Sequence, residues 1–333
     1  MADPRNALLA LLADGAWHTG VQLGANLGLS RAAIWKQVRV LRTTGLEVVA
    51  DRRRGYRLGT PLQLLDADAI RAFLDRQANT ALAGFEVLLI TGSTSERLAS
   101  VAAPAPGRML ACAAEYQSGG RGRRGRRWFS PLGHGLCLSV SWCYEEAPRD
   151  LAALGLVVGV AVAEAVSQLV PDEAVQLKWP NDVVADGGKL GGILVDVAGE
   201  TGGPLRIVIG IGLNVCGSPQ LAAEVDADGG NLRPVALDAL VKGRNVSRNQ
   251  LAGYLLNALY RNLTEFADSG FATFAPRWRR RDCLLGETIS ISSGSQTLSG
   301  VASGITDDGA LLIAVDGRLT AVFSGDVSLR RPT

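Results

Sequence analysis

Between residues 119 and 128 the chain reads Gly-Gly-Arg-Gly-Arg-Arg-Gly-Arg-Arg-Trp, five arginines among four glycines. Glycines let a backbone wrap closely around a ligand and turn its N–H donors inward. Arginines offer forked donors that match phosphate or carboxylate. A disordered basic loop or a nucleic-acid patch of the RGG type has similar composition. Such patches sit in low-complexity tails, however, whereas this run is enclosed between two predicted strands, which points to an anionic ligand. Two further segments share the chemistry. Lys178-Trp179-Pro180-Asn181-Asp182 ends a predicted strand with a lysine, a stiff proline and a carboxylate. Gly187-Gly188-Lys189-Leu190-Gly191-Gly192-Ile193 sets a lysine between two glycine pairs where another strand begins. The chain has 30 arginines and only four lysines, and two of those four fall here, where an ammonium can meet a phosphate as a point charge. Taken singly, Lys178 also suits a strand-end surface position and Asp182 a turn. Ser93, Thr94 and Ser95, between a predicted strand and helix, offer hydroxyls to a small polar ligand, though helix capping explains them nearly as well. Neither a GxxxxGK[ST] loop nor a Rossmann fingerprint after a first strand is present, which disfavours P-loop and dinucleotide folds.

The elements that must carry these residues follow from patterning. Asn6–Leu12 is an apolar helical run stopped by Asp14-Gly15. Thr19, three residues before Gln22, has the spacing of a capping box that opens a helix through Leu27. Ser30 caps a third helix, Arg31–Thr43, with Ile34, Val38 and Leu41 on its apolar side. A short hairpin with Arg52, Arg53 and Arg54 at its tip follows, the pattern of a winged helix-turn-helix. Residues 1–60 hold nine Lys/Arg against four Asp/Glu, a net +5, although the whole chain carries only +2. This front is predicted to bind DNA, with Ser30, Arg31, Ala32, Ala33 and Lys36 along the major-groove helix and Arg53 and Arg54 near phosphates. A small protein–protein module with a solvated basic loop is the alternative.

After a linker at Pro61 and a helix capped by Asp66, strands are predicted at 85–90, 109–116, 135–142, 175–178, 190–197 and 206–213. Helices are predicted at 94–102, 151–169 and 249–268. This makes an α+β domain, a mixed sheet with helices on one face. Leu151–Val170 is nearly a membrane length, but Glu164 would lie inside it, so a buried helix fits better. From Cys283 onward, short strands at 288–291, 296–303, 311–315 and 319–323 predict a small β-barrel. The 333 residues thus divide into 1–62, 63–275 and 276–333. Five scattered cysteines without a CxxC pair, and only two histidines (His18 and His134), exclude a disulfide framework, a thiolate zinc site and a histidine-rich metal centre. With no signal-peptide pattern at residues 1–5, a cytoplasmic protein without membrane association is expected.

In these motifs the chain resembles the bifunctional biotin–protein ligases, biotin–[acetyl-CoA-carboxylase] ligases that also repress a biotin operon. The resemblance spans the winged helix, a central ligase domain and a C-terminal SH3-like β-barrel. It implies that biotin attacks MgATP to give biotinyl-5′-AMP, and that the biotinyl group passes to a lysine of a biotin carboxyl carrier protein. It implies Ser93, Thr94, Ser95 and Gln117 as biotin contacts, with Arg121, Gly122, Arg123 and Lys189 on biotin and the adenylate phosphate. Arg121, Arg123 and Lys189 are the implied catalytic cations. Gly210, Gly212 and Leu213 would line the ring pocket, and Trp128, Lys178, Asn181 and Asn214 would face the adenylate. Asp182 is the implied Mg2+-side carboxylate. Operator DNA and an adenylate-driven homodimer are the implied partners. Two departures stand out. Position 95 is Ser where the best-known members have Asn, and the stretch 220–239, expected to cover adenosine, contains no Trp. A sensor-only regulator and a lipoate-type ligase are the competing readings.

Overall fold

The computed structural model describes residues 4–198, 204–221, 223, 232–241, 246–293 and 296–329. The chain opens with α1 (Pro4–Leu12), α2 (Gly20–Leu27) and α3 (Arg31–Thr43), then a hairpin of β1 (Val48–Asp51) and β2 (Gly55–Leu58). Thr19 and Gln22 form the reciprocal capping box, and Ser30 Oγ accepts from Ala33 N at 3.2 Å. Ile34, Val38 and Leu41 are buried against Leu8, Leu9, Leu12 and Leu23. This small core also takes in Leu89 and Leu132 of the next domain, so the front unit is packed onto the body.

Two short helices, α4 (Ala67–Arg71) and α5 (Arg76–Ala81), lead into β3 (Leu82–Thr91). Then come α6 (Thr94–Ala99), β4 (Met109–Gln117), β5 (Gly135–Tyr144), α7 (Leu154–Val166), β6 (Gln176–Lys178), β7 (Asp182–Ala185), β8 (Gly188–Ala198) and β9 (Leu205–Asn214). The seven strands form one sheet in the order β3-β4-β5-β9-β8-β7-β6, with only β3 and β4 parallel. Alternation along β5 sorts its side chains. Leu136, Leu138, Val140, Trp142 and Tyr144 enter the main core, under α7 and α8 (Arg248–Ser269). Ser139 and Ser141 face the other side, where α6 lies.

α7 is apolar nearly all round because it is enclosed, by the sheet on one side and by α8 and α9 (Ala275–Arg279) on the other. Its one charge, Glu164, accepts from Arg277 at 2.6 Å and from Asn262 at 3.2 Å. No helix among the described residues is long and apolar enough to cross a membrane. The leucine stripe of α8 (Leu251, Leu255, Leu259 and Leu263) is wholly buried. Each such side chain contributes about 2 kcal/mol by leaving water.

The C-terminal strands β10 (Thr288–Ser293), β11 (Gln296–Ile305), β12 (Leu311–Val315), β13 (Arg318–Val322) and β14 (Asp326–Leu329) form a second antiparallel sheet, ordered β13-β12-β11-β10-β14. Two strands lie outside the sequence expectation. β7 begins at Asp182, inside a segment that reads as a turn, and β14 follows the last predicted strand. The helix expected over 94–102 stops at Ala99. There Arg206 of β9 takes the carbonyl oxygens of Leu98 and Val101.

Candidate active site

The cleft opens on the sheet face opposite α7 and α8. One end is built from hydroxyls. Ser93 caps α6, and Thr94 N and Oγ1 both donate to Gln117 Oε1, at 2.7 and 3.0 Å. Ser139 Oγ lies 2.6 Å from Thr94 Oγ1 and 3.0 Å from Ser95 Oγ. Thr94, Ser95 and Gln117 thus form one network, with the fully buried Ser139 as its hub, while the Ser93 hydroxyl is taken up by the helix cap.

The floor beside this network has no side chains where β9 passes. A Cβ at Gly210 would lie 2.6 Å from Ser95 Oγ, and one at Gly212 would lie 2.2 Å from the Trp128 indole. The indole therefore rests directly on the β9 backbone. Leu213, the third residue expected here, and by its backbone, follows Gly212 on β9. The strand's alternation turns its side chain into the helix-covered core, away from the cleft.

The other end is cationic. Among the described residues, Arg121, Arg123, Arg126, Arg127, Lys178 and Lys189 line the cleft against two carboxylates, Asp182 and Asp326. Lys189 Nζ lies 2.6 Å from Asp182 Oδ1 and 5.9 Å from the Trp128 ring centroid. Its main chain is fixed by Arg233 O, by Val235 N and by the Asn214 amide. Arg123 Nη1 reaches Asn181 Oδ1 at 3.4 Å, and Asn181 Nδ2 in turn donates to Ile193 O. Burial lowers the pKa of both Arg123 and Lys178 from their ordinary values, as expected where cations are held out of water ahead of an anion. Arg121 stands at the mouth, half exposed, between Glu96 (3.4 Å) and Asp196 (3.7 Å).

The arginine-glycine loop is held from outside the sheet domain. Arg124 Nη1 and Arg126 Nη2 both donate to Asp326, at 3.1 and 3.0 Å, and Arg124 Nη2 donates to Ser292 O. Arg124 carries φ of 56°, left-handed backbone that costs a residue with a side chain about 1 kcal/mol. Asp326 and Ser139 lie outside the motifs legible in the sequence, whereas Arg126 and Arg127 belong to the arginine-glycine run and line the cleft with it. Alternation could have flagged Ser139, but nothing local foretells a carboxylate some 200 positions from its arginines. The stretch 220–239 falls partly outside the described residues; Leu221, Leu232 and Pro234 of it line the cleft.

On the front unit, Arg31, Ala32 and Lys36 are exposed along α3, Ala33 is half-buried, and Ser30 caps the helix. At the wing tip, Asp51 Oδ1 accepts from both Arg53 N and Arg54 N at 2.8 Å. The Arg54 guanidinium lies over Trp17, 4.4 Å from the ring centroid.

Residues 90–214 match the biotin/lipoate A/B protein ligase family, residues 5–57 an HTH domain, and residues 284–330 the biotin protein ligase C terminal domain. The chain is 40% identical over 324 residues to the bifunctional ligase/repressor BirA of Salmonella typhimurium, covering 97% of this chain and 96% of that one. To BirA of Escherichia coli it is 38% identical, with the same coverage. Among solved structures, the biotin protein ligase from Aquifex aeolicus in complex with biotin and ATP is 28% identical. It superposes with a TM-score of 0.62 over 75% of this chain and all of that one.

Proposed function

Because the chain belongs to the family of bifunctional biotin ligase/repressors, we propose that the cleft just described is where it joins biotin to ATP and then to a protein. The chain is an ATP-dependent biotin–protein ligase with a DNA-binding front unit. One observation carries the site assignment: among the described residues, six cationic side chains face two carboxylates in a cleft whose other end is a hydroxyl network over bare backbone. A carboxylate must approach a triphosphate, and the two repel unless positive charge lies between them.

In the first step a biotin carboxylate oxygen attacks the α-phosphorus, the bond to the bridging oxygen breaks, and pyrophosphate leaves with the electron pair. Ser93, Thr94, Ser95 and Gln117 would hold the polar ring of biotin, with Gly210 and Gly212 allowing it close to β9. Arg121, Gly122, Arg123 and Lys189 would meet the reacting carboxyl and phosphate oxygens. Lys178, Asn181 and Asn214 would face the nucleotide, and Trp128 would cover the mixed anhydride and keep water from it. In the second step the neutral ε-amine of a carrier lysine attacks the acyl carbon, forming the amide and releasing AMP.

Magnesium fits here as an ion borne mainly by the nucleotide phosphates, its usual mode. Asp182 is one carboxylate already engaged by Lys189, and no cluster of three or more acidic, His or Cys side chains occurs among the described residues. Bound magnesium supplies charge neutralisation at the phosphates, and Asp182 is the protein group that would reach it.

The partners are a biotin carboxyl carrier protein, operator DNA and, once adenylate is bound, a second copy in the cytoplasm. The edge of β8 beyond Ile193 has no strand beside it on its β7 side among the described residues, and Val197 there is 49% exposed. That edge supports pairing by continuation of the sheet. Incubation with biotin, MgATP and a carrier domain should add one biotinyl mass to a single acceptor lysine, read by intact mass. Lys189→Ala should slow adenylate formation by about a hundredfold or more in single-turnover assays while the melting temperature holds. Activity within severalfold of the parent would remove Lys189 from the role given to it.

A further inference from the structure

The outward side of α3 carries one residue that neither packing nor charge accounts for. Ile34, Val38 and Leu41 point into the core, while Trp35 is 52% exposed. Large aromatic side chains are usually well buried on average. The Arg39 guanidinium lies 4.9 Å from the Trp35 ring centroid, a stacking contact that holds the indole on the solvent side of the helix. Around it on the same side stand Arg31, Ala32 and Lys36, and the exposed Arg52 and Arg53 lie on the wing. An apolar ring ringed by cations suits a polyanion that shows apolar groups between its charges, which is what duplex DNA offers.

Residues in the first half of a recognition helix meet base edges in the major groove, and Trp35 is the fifth of the 13 residues of α3. Hydrogen-bonding groups dominate those edges, and the apolar one is the thymine 5-methyl. Ala32 and Ala33 add little bulk beside Trp35, so the helix can come close. We propose that Trp35 determines specificity on the DNA-binding face by laying its indole against the 5-methyl of a thymine, with Arg39 holding the ring in place. This inference rests on the DNA-binding reading of the front unit.

The test uses the full-length protein with biotin and MgATP and a random pool of duplexes. The most enriched duplex is then resynthesised with each thymine in turn replaced by uracil, which removes only the methyl group. Anisotropy titrations at one fixed salt concentration should show about a fourfold loss at one thymine per half-site, the worth of one buried methyl. Trp35→Ala should bind the two duplexes alike, and Trp35→Phe, which keeps an apolar ring, should retain a penalty. A parent protein indifferent to uracil at every position overturns the proposal without touching DNA binding. So does a Trp35→Ala variant that keeps the uracil penalty, or one weakened equally on all duplexes. A pool with no enriched duplex overturns the DNA-binding reading and this inference together.

Discussion

At the level of single residues, the cleft depends on what β9 lacks. Trp128 sits where a Cβ on Gly212 would have to be, 2.2 Å from the indole, so Gly212→Ala must push the ring off the floor. Its backbone is ordinary strand, paired with Cys137 and Gly192, so the substitution should leave the sheet intact. The expected result is a biotin affinity at least tenfold weaker by calorimetry, with little change in melting temperature. Unchanged affinity would mean that the indole position does not matter to the ligand. Ser95 enters the same floor, its Oγ bonded to Ser139. The lysines of this site were legible because two of the chain's four stand in short segments rich in glycine or beside a carboxylate. Ser139 was legible only as a polar position on the face turned from the core, since alternation carries no sign of what lies across from it.

Among the elements, the arginine-glycine loop stands out because its hold comes from the C-terminal sheet. Asp326 takes two guanidiniums and so stabilises the left-handed Arg124. Partly exposed pairs of this kind contribute about 0.5–1 kcal/mol each. Asp326→Ala should therefore release biotinyl-adenylate up to about tenfold faster, followed by loss of the labelled intermediate from the protein. An unchanged release rate would show that the loop holds its ligand without the latch. Strand patterning read six of the seven strands of the main sheet but not β7, because Pro180-Asn181-Asp182 has the composition of a turn. That segment is indeed a turn, with a strand beginning on its last residue. β14 was missed for the reason that its four residues, Asp326–Leu329, are too few to show a period. The winged helix was the most legible part, since caps and apolar spacing are local signals.

Across the whole molecule, the residues between front unit and body form no loose tether. Leu62 N donates to Ala13 O, Gly59 N to Glu47 O, and Asn249 brackets Leu64 and Asp66. Arg248 holds Gln63 O while paired with Glu115 at 2.6 Å, both side chains 3% exposed. Breaking such a buried pair from one side costs about 3–5 kcal/mol. Leu132 N adds a bond to Thr44 O at the end of α3. The proline at position 61 suggested a linker, and only the assembled contacts reveal that it is stitched on both sides. In a pair of copies joined along β8, the two recognition helices would then stand at a distance fixed by the protein, like the marks on a ruler. Lengthening the gap between operator half-sites by about 5 base pairs, half a turn of DNA, should abolish paired binding. Adding about 10 base pairs, which restores the phase but not the distance, should abolish it too. Flexibly tethered readers would forgive the second insertion, so in such a pair the stitching would make operator length, and not only operator sequence, a quantity the two copies read together.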